Sequence, residues 1–96
     1  MGILIRLVKK VLSIVNESRE SQLLETRSRL TGIIERCDGW KKETFLRDEN
    51  RVEELLKVTQ RAKALLQRQD FGKEDIYGAI RLNREYLSKV RGYIAG

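Results

Sequence analysis

Apolar positions recur at helical spacing along most of the chain and do not alternate as they would in a strand. The first set runs from Ile3 to Val15. Its polar members, Arg6, Lys9, Lys10 and Ser13, fall within an arc of roughly 100° when wound as a helix. The rest of that circumference is apolar. A surface helix of a small bundle needs an apolar stripe only about 100° wide. This excess predicts a helix that is central in the bundle, buried against a second chain, or laid on a membrane. Ile3, Leu4, Leu7, Val8, Val11, Leu12 and Val15 are therefore the candidate partner-binding residues.

Asn16 to Gln22 is polar but holds no Gly or Pro. It reads either as a capped turn or as the middle of one helix from 3 to 37, about 50 Å long. Leu23, Leu30, Ile33, Ile34 and Cys37 form the second apolar set. Asp38-Gly39-Trp40 is the clearest punctuation, since Gly39 can take the left-handed conformation that ends a helix. Trp40 either closes the end of the bundle or anchors a partner.

A helix over about 42–69 is predicted next. Val52, Leu55, Thr59, Ala62 and Leu66 repeat at 3,4,3,4 spacing, with Phe45 one heptad earlier. Asp70-Phe71-Gly72 breaks it, with Asp70 or Gly72 as a cap. Ile76, Ile80, Asn83, Leu87, Val90 and Ile94 then mark a helix over 73–94. The expected fold is all-α: one domain over 1–96, a three- or four-helix bundle with antiparallel helices, closed by the chain alone or completed by oligomerisation. The expected core is Leu7, Val11, Leu23, Leu30, Ile34, Val52, Leu55, Ala62, Leu66, Ile76, Ile80, Leu87 and Val90.

Composition supports helices: 96 residues contain no Pro and 7 Gly, and 35% are charged. The net charge is +6, which invites a nucleic-acid or acidic-membrane reading. The charge is spread evenly, however, with +2 in each of residues 1–40, 41–70 and 71–96. Acids also precede bases in each predicted helix, as the helix dipole favours. Glu25–Arg29, Glu43–Arg47, Glu53–Lys57 and Glu85–Lys89 have the favourable i,i+4 order. Much of the charge is thus helix support.

Catalytic chemistry is poorly provided for. There is no His, which removes the commonest general base and metal ligand, and Cys37 is the single cysteine. No glycine loop is present to cradle phosphate. Asn16-Glu17-Ser18 fits the glycosylation triplet by pattern alone, and Met1-Gly2 has Arg6 where myristoylation wants Ser or Thr. Cytoplasmic residence is the expectation.

Three weaker signals complete the reading. Lys57, Arg61, Lys63 and Arg68 form an acid-free stretch that, with Lys89 and Arg91, offers a phosphate-contacting surface. Tyr77, Tyr86 and Tyr93 could add stacking surfaces, although core-edge packing fits them better. Glu17-Ser18-Arg19-Glu20 and Glu35-Arg36-Cys37-Asp38 resemble the paired acidic motif of MazG-type nucleotide pyrophosphohydrolases, a resemblance that implies Mg²⁺-dependent hydrolysis. One straight helix would hold Glu17 and Glu35 about 27 Å apart, so only a hairpin near 28–32 or an antiparallel dimer would unite them. Separately, "RVEELLKVTQRAKALLQ" and "NREYLSKVRGY" within residues 48–93 resemble the last two helices of GAT adaptor domains.

The expected function is non-enzymatic, without a cofactor or metal: a protein–protein association module such as an adaptor, inhibitor or assembly subunit, with a protein partner or itself. A basic helical nucleic-acid-binding subunit is the first alternative and the Mg²⁺ pyrophosphohydrolase the second. Peripheral membrane contact through residues 3–15 is a further partner expectation.

Overall fold

The computed structural model describes residues 2–95. Met1 and Gly96, the ends of the expected 1–96 domain, lie outside the described residues, as does the Met1 of the Met1-Gly2 start. Three helices follow one another: α1 over Gly2–Glu35, α2 over Gly39–Leu66 and α3 over Lys73–Ala95.

Asn16 to Gln22 does not interrupt α1, because nothing in the stretch breaks a helix and Asn16 has a buried partner. After Glu35 the chain turns on hydrogen bonds from Arg36 N–H to Ile33 C=O and from Cys37 N–H to Ile34 C=O. Gly39 takes φ 68, which a side chain would strain. α2 begins at Gly39, earlier than residue 42, so Trp40 sits in its first turn rather than in a loop. α2 ends at Leu66, short of 69. Gly72, not Asp70, caps α3. The Gly72 carbonyl accepts from Asp75 and Ile76 N–H, and the Gly72 N–H donates to the Asp75 carboxylate at 2.9 Å. Asp75 also holds Arg68 at 3.1 Å, tying the end of α2 to the start of α3.

α2 is the central helix. It buries Val52, Leu55, Leu56, Val58, Thr59, Ala62 and Leu66, whereas α1 buries Asn16, Leu23 and Leu30, and α3 buries Ala79. Leu56 is 2% exposed, and a leucine buried to that degree contributes roughly 2–3 kcal/mol. Leu56 and Val58 stand outside the single seam read from the sequence. They are buried because α2 has a neighbour on each side and needs a wider apolar face.

Contacts of α1 with α2 and the turn after it run from Lys9–Arg68 through Asn16–Thr59 and Arg27–Glu53 to Thr31–Glu49. The partner's number falls on α2 as it rises on α1. α1 and α3 touch each other far less than either touches α2. The overall dimensions are 56 × 24 × 15 Å. Three helices in full mutual contact at 8–10 Å spacing would have two nearly equal short dimensions. The molecule is instead flattened, with α1 and α3 flanking α2.

This arrangement overturns part of the expected core. Leu7 and Val11 are exposed, because their α1 face turns away from α2. Ile80 and Leu87 are exposed on α3 for want of contact with α1. Ile34, Ile76 and Val90 are half-buried, and Ile34 and Val90 pack on the Leu23, Leu30, Val52, Leu55 and Leu56 cluster with Phe45, Tyr86 and Tyr93.

Candidate partner-binding surface

The first half of α1 carries an apolar face that the rest of the chain does not cover. Its N-terminal residue Gly2 lies well beyond the end of α2, since Lys9 already reaches the Arg68 carbonyl at 3.4 Å and stands 5.3 Å over the Phe71 ring in the α2–α3 connection. The two turns before Lys9 therefore project past Leu66. On the face opposite α2, Ile3 is 85% exposed, Leu4 69%, Leu7 58%, Val11 53% and Ile14 57%, with Val15 at the edge. A central place in the bundle is thus excluded for this stripe.

Of the residues expected on this surface, Ile3, Leu4, Leu7, Val11 and Val15 belong to it. Val8 and Leu12 are half-buried, and Leu12 lines a cavity of about 30 Å³ where the three helices meet. Ile14 belongs to the stripe and was missed. Its 3,4,3 spacing with Leu4, Leu7 and Val11 is a heptad signal that the sequence carries.

Trp40 does not close the bundle. It is 72% exposed, with Lys41 Nζ 5.9 Å from its ring centroid. It follows the C-terminal end of α1, about 50 Å along that helix from Ile3, so it is no part of the same surface.

Near the opposite edge of the cavity, Arg19 donates to the Asn83 side-chain oxygen at 2.6 Å and lies 4.4 Å over the Tyr86 ring. Asn83 thus has a partner in α1. Tyr86 and Tyr93 pack at the core edge, as their seam-side positions suggested, while Tyr77 is exposed.

The six candidate phosphate-contacting cations do not form one face. Lys57, Arg61 and Lys89 share an open α2–α3 groove with Glu54 and Glu85. Arg61 pairs with Glu85 at 2.6 Å and Lys89 with Glu54 at 3.9 Å. Lys63 turns to Glu20 on α1, and Arg68 to Asp70 and Asp75. Arg91 is exposed on α3. Of the four expected i,i+4 pairs, Glu25–Arg29 forms at 2.6 Å, while Glu53 and Glu85 reach across helices to Arg27 and Arg61 instead.

Glu17 and Glu35 lie on one uninterrupted helix, about 27 Å apart, and no hairpin forms near 28–32. Among the described residues, no group of three or more His, Cys, Asp or Glu side chains is placed to hold a metal ion. No helix among the described residues is long and apolar enough to cross a membrane. The Asn16 amide is buried and bonded to the Thr59 carbonyl, so the glycosylation triplet is not presented on the surface. Compared with known protein families, curated proteins and solved structures, the chain matches none.

Proposed function

We propose that this chain is a non-enzymatic protein–protein association module, an antiparallel three-helix bundle whose N-terminal helix offers its apolar face to a protein partner. The single observation that carries the reading is the Ile3, Leu4, Leu7, Val11 and Ile14 stripe, uncovered along a helix that is otherwise well formed. An apolar patch of this extent is at the upper end for a lone chain and often marks a binding site. Its mechanism is helix packing: α2 and α3 hold α1 rigid, and α1 supplies spaced side chains to a partner's groove. The partner is a protein rather than a nucleic acid because Arg61, Lys63, Arg68 and Lys89 are occupied by acids within the chain.

The test compares the native mass of the protein in extract of its own cells with that of a Leu7→Lys/Val11→Lys variant. The wild type should run well above the 11.2 kDa of one chain and the variant close to it, with equal helix content. Wild type running as a single chain would overturn the reading.

A further inference from the structure

Building on that reading, we propose that the occupant of the stripe is a second copy of this chain, with the two α1 helices paired in parallel about a two-fold axis.

Area is the first argument. The exposed parts of Ile3, Leu4, Leu7, Val11, Ile14 and Val15 amount to roughly 600 Å², at the top of the range of about 300–600 Å² for the largest patch of a lone chain, which is often functional. Two copies closing face to face remove on the order of 1,000 Å², the lower bound for a specific interface. A two-fold axis also uses one patch twice, so the chain supplies its own complement.

Direction is the second. Asn16 marks the side of α1 that faces α2. Leu4, Leu7, Val11 and Ile14 lie about 120–180° around the helix from it, so these four point away from α2, while Val15 at the stripe's edge borders the cavity shared with α3. Two copies meet there without collision between their α2 helices.

Charge selects the register. Lys10 flanks the stripe on one side, and Glu17 follows it one heptad later. An antiparallel pairing that sets Leu4 against Ile14 and Leu7 against Val11 also sets Lys10 against Lys10. The staggered antiparallel pairing that gives Lys10 a Glu17 partner leaves Leu4 and Leu7 opposite Ser21 and Ser18. The parallel pairing sets all four apolar positions against their own counterparts and places Lys10 beside Val15 of the second copy, where its stem packs and its ammonium stays in water.

The experiment uses the purified 96-residue chain at micromolar concentration. Light scattering should give twice the 11.2 kDa chain mass, halved by Leu7→Lys/Val11→Lys. Leu4→Lys, in the projecting turns outside the core, should also halve it, so loss of fold is not the cause. Leu4→Cys in a Cys37→Ala background should form an interchain disulfide under mild oxidation. Either antiparallel register holds the two residue-4 positions about 15 Å apart or more, beyond reach of that bond. A wild-type mass of one chain overturns the second copy, and if the same protein runs larger in cell extract the protein-partner reading survives it. A monomer that sediments with anionic vesicles overturns both in favour of a membrane surface. A dimer that does not cross-link through Leu4→Cys overturns the parallel register.

Discussion

The Asn16 side-chain amide donates a 3.0 Å hydrogen bond to the Thr59 main-chain carbonyl, and both residues are buried between α1 and α2. Thr59 in turn donates its hydroxyl to the Leu56 carbonyl at 2.8 Å. Among apolar neighbours the Asn16 amide is satisfied only when α1 and α2 stand in one axial register, whereas the Thr59 hydroxyl bond lies within α2. A one-turn slip would leave the Asn16 amide without its partner, at a cost of about 1–3 kcal/mol.

Replacing Asn16 with Ala should therefore destabilise the fold by about 1–2 kcal/mol, through the lost hydrogen bond and the small void. Asn16→Leu should recover much of that while broadening amide resonances along α1, because the one buried polar bond that fixes the register is then gone. Urea unfolding reads the first effect and NMR line widths the second. An Asn16→Ala protein as stable as the wild type would refute the role.

The Tyr93–Glu54 pair makes stability depend on pH at both extremes. The Tyr93 hydroxyl donates to Glu54 Oε2 at 2.5 Å. Burial, then the hydrogen bond to Glu54 and its charge, push the phenol from 10.0 to about 12. The fold thus favours the neutral phenol, and this stabilisation is full below pH 10 and lost as the pH rises to about 12. Glu54 moves the other way, lowered from 4.5 by the Tyr93 hydrogen bond and then by Lys89. Its contribution is present above pH 4.5 and fades as acid protonates it. The stability difference between wild type and Tyr93→Phe should be greatest near neutrality and shrink on both sides. Urea titrations across pH check this, and a difference that stays constant contradicts it.

Asp75 joins α2 to α3 through Gly72 N–H and Arg68. Asp75→Ala should lower stability by about 1 kcal/mol and Asp75→Asn by less, since an amide oxygen still accepts from Gly72. Thermal unfolding distinguishes the two. Equal loss in both would show that charge, not the cap, is what matters.

Two glycines should respond in opposite directions. Gly39 takes φ 68, so Gly39→Ala should cost about 1 kcal/mol. Gly92 lies within α3 with nothing within 4 Å of an added methyl, so Gly92→Ala should gain up to about 1 kcal/mol. Chemical denaturation of the two variants measures both signs.

The helices were legible in the sequence because their signals are local: 3,4 spacing, absent proline, Asp38-Gly39 and Phe71-Gly72. Which helix would be central was not, because that depends on how three amphipathic cylinders share their faces. The clue lay in Leu55-Leu56 and Val58-Thr59, adjacent pairs that widen the buried arc of α2 beyond one seam. Leu7 and Val11 misled because apolarity states that a side chain is to be covered, not by what. The ion pairs misled similarly: Glu53 had Lys57 within reach on its own helix, and Arg27 on α1 took it.

Hydrogen exchange of the α1 main-chain amides in the native assembly tests the covered stripe most directly. A helix that packs against a partner through Leu4, Leu7, Val11 and Ile14 should keep amides 6–15 slow to exchange. The same amides should exchange much faster in Leu7→Lys/Val11→Lys, while those of α2 stay slow. Rapid exchange over 6–15 in the wild-type assembly, no slower than in the variant, would contradict a covered face.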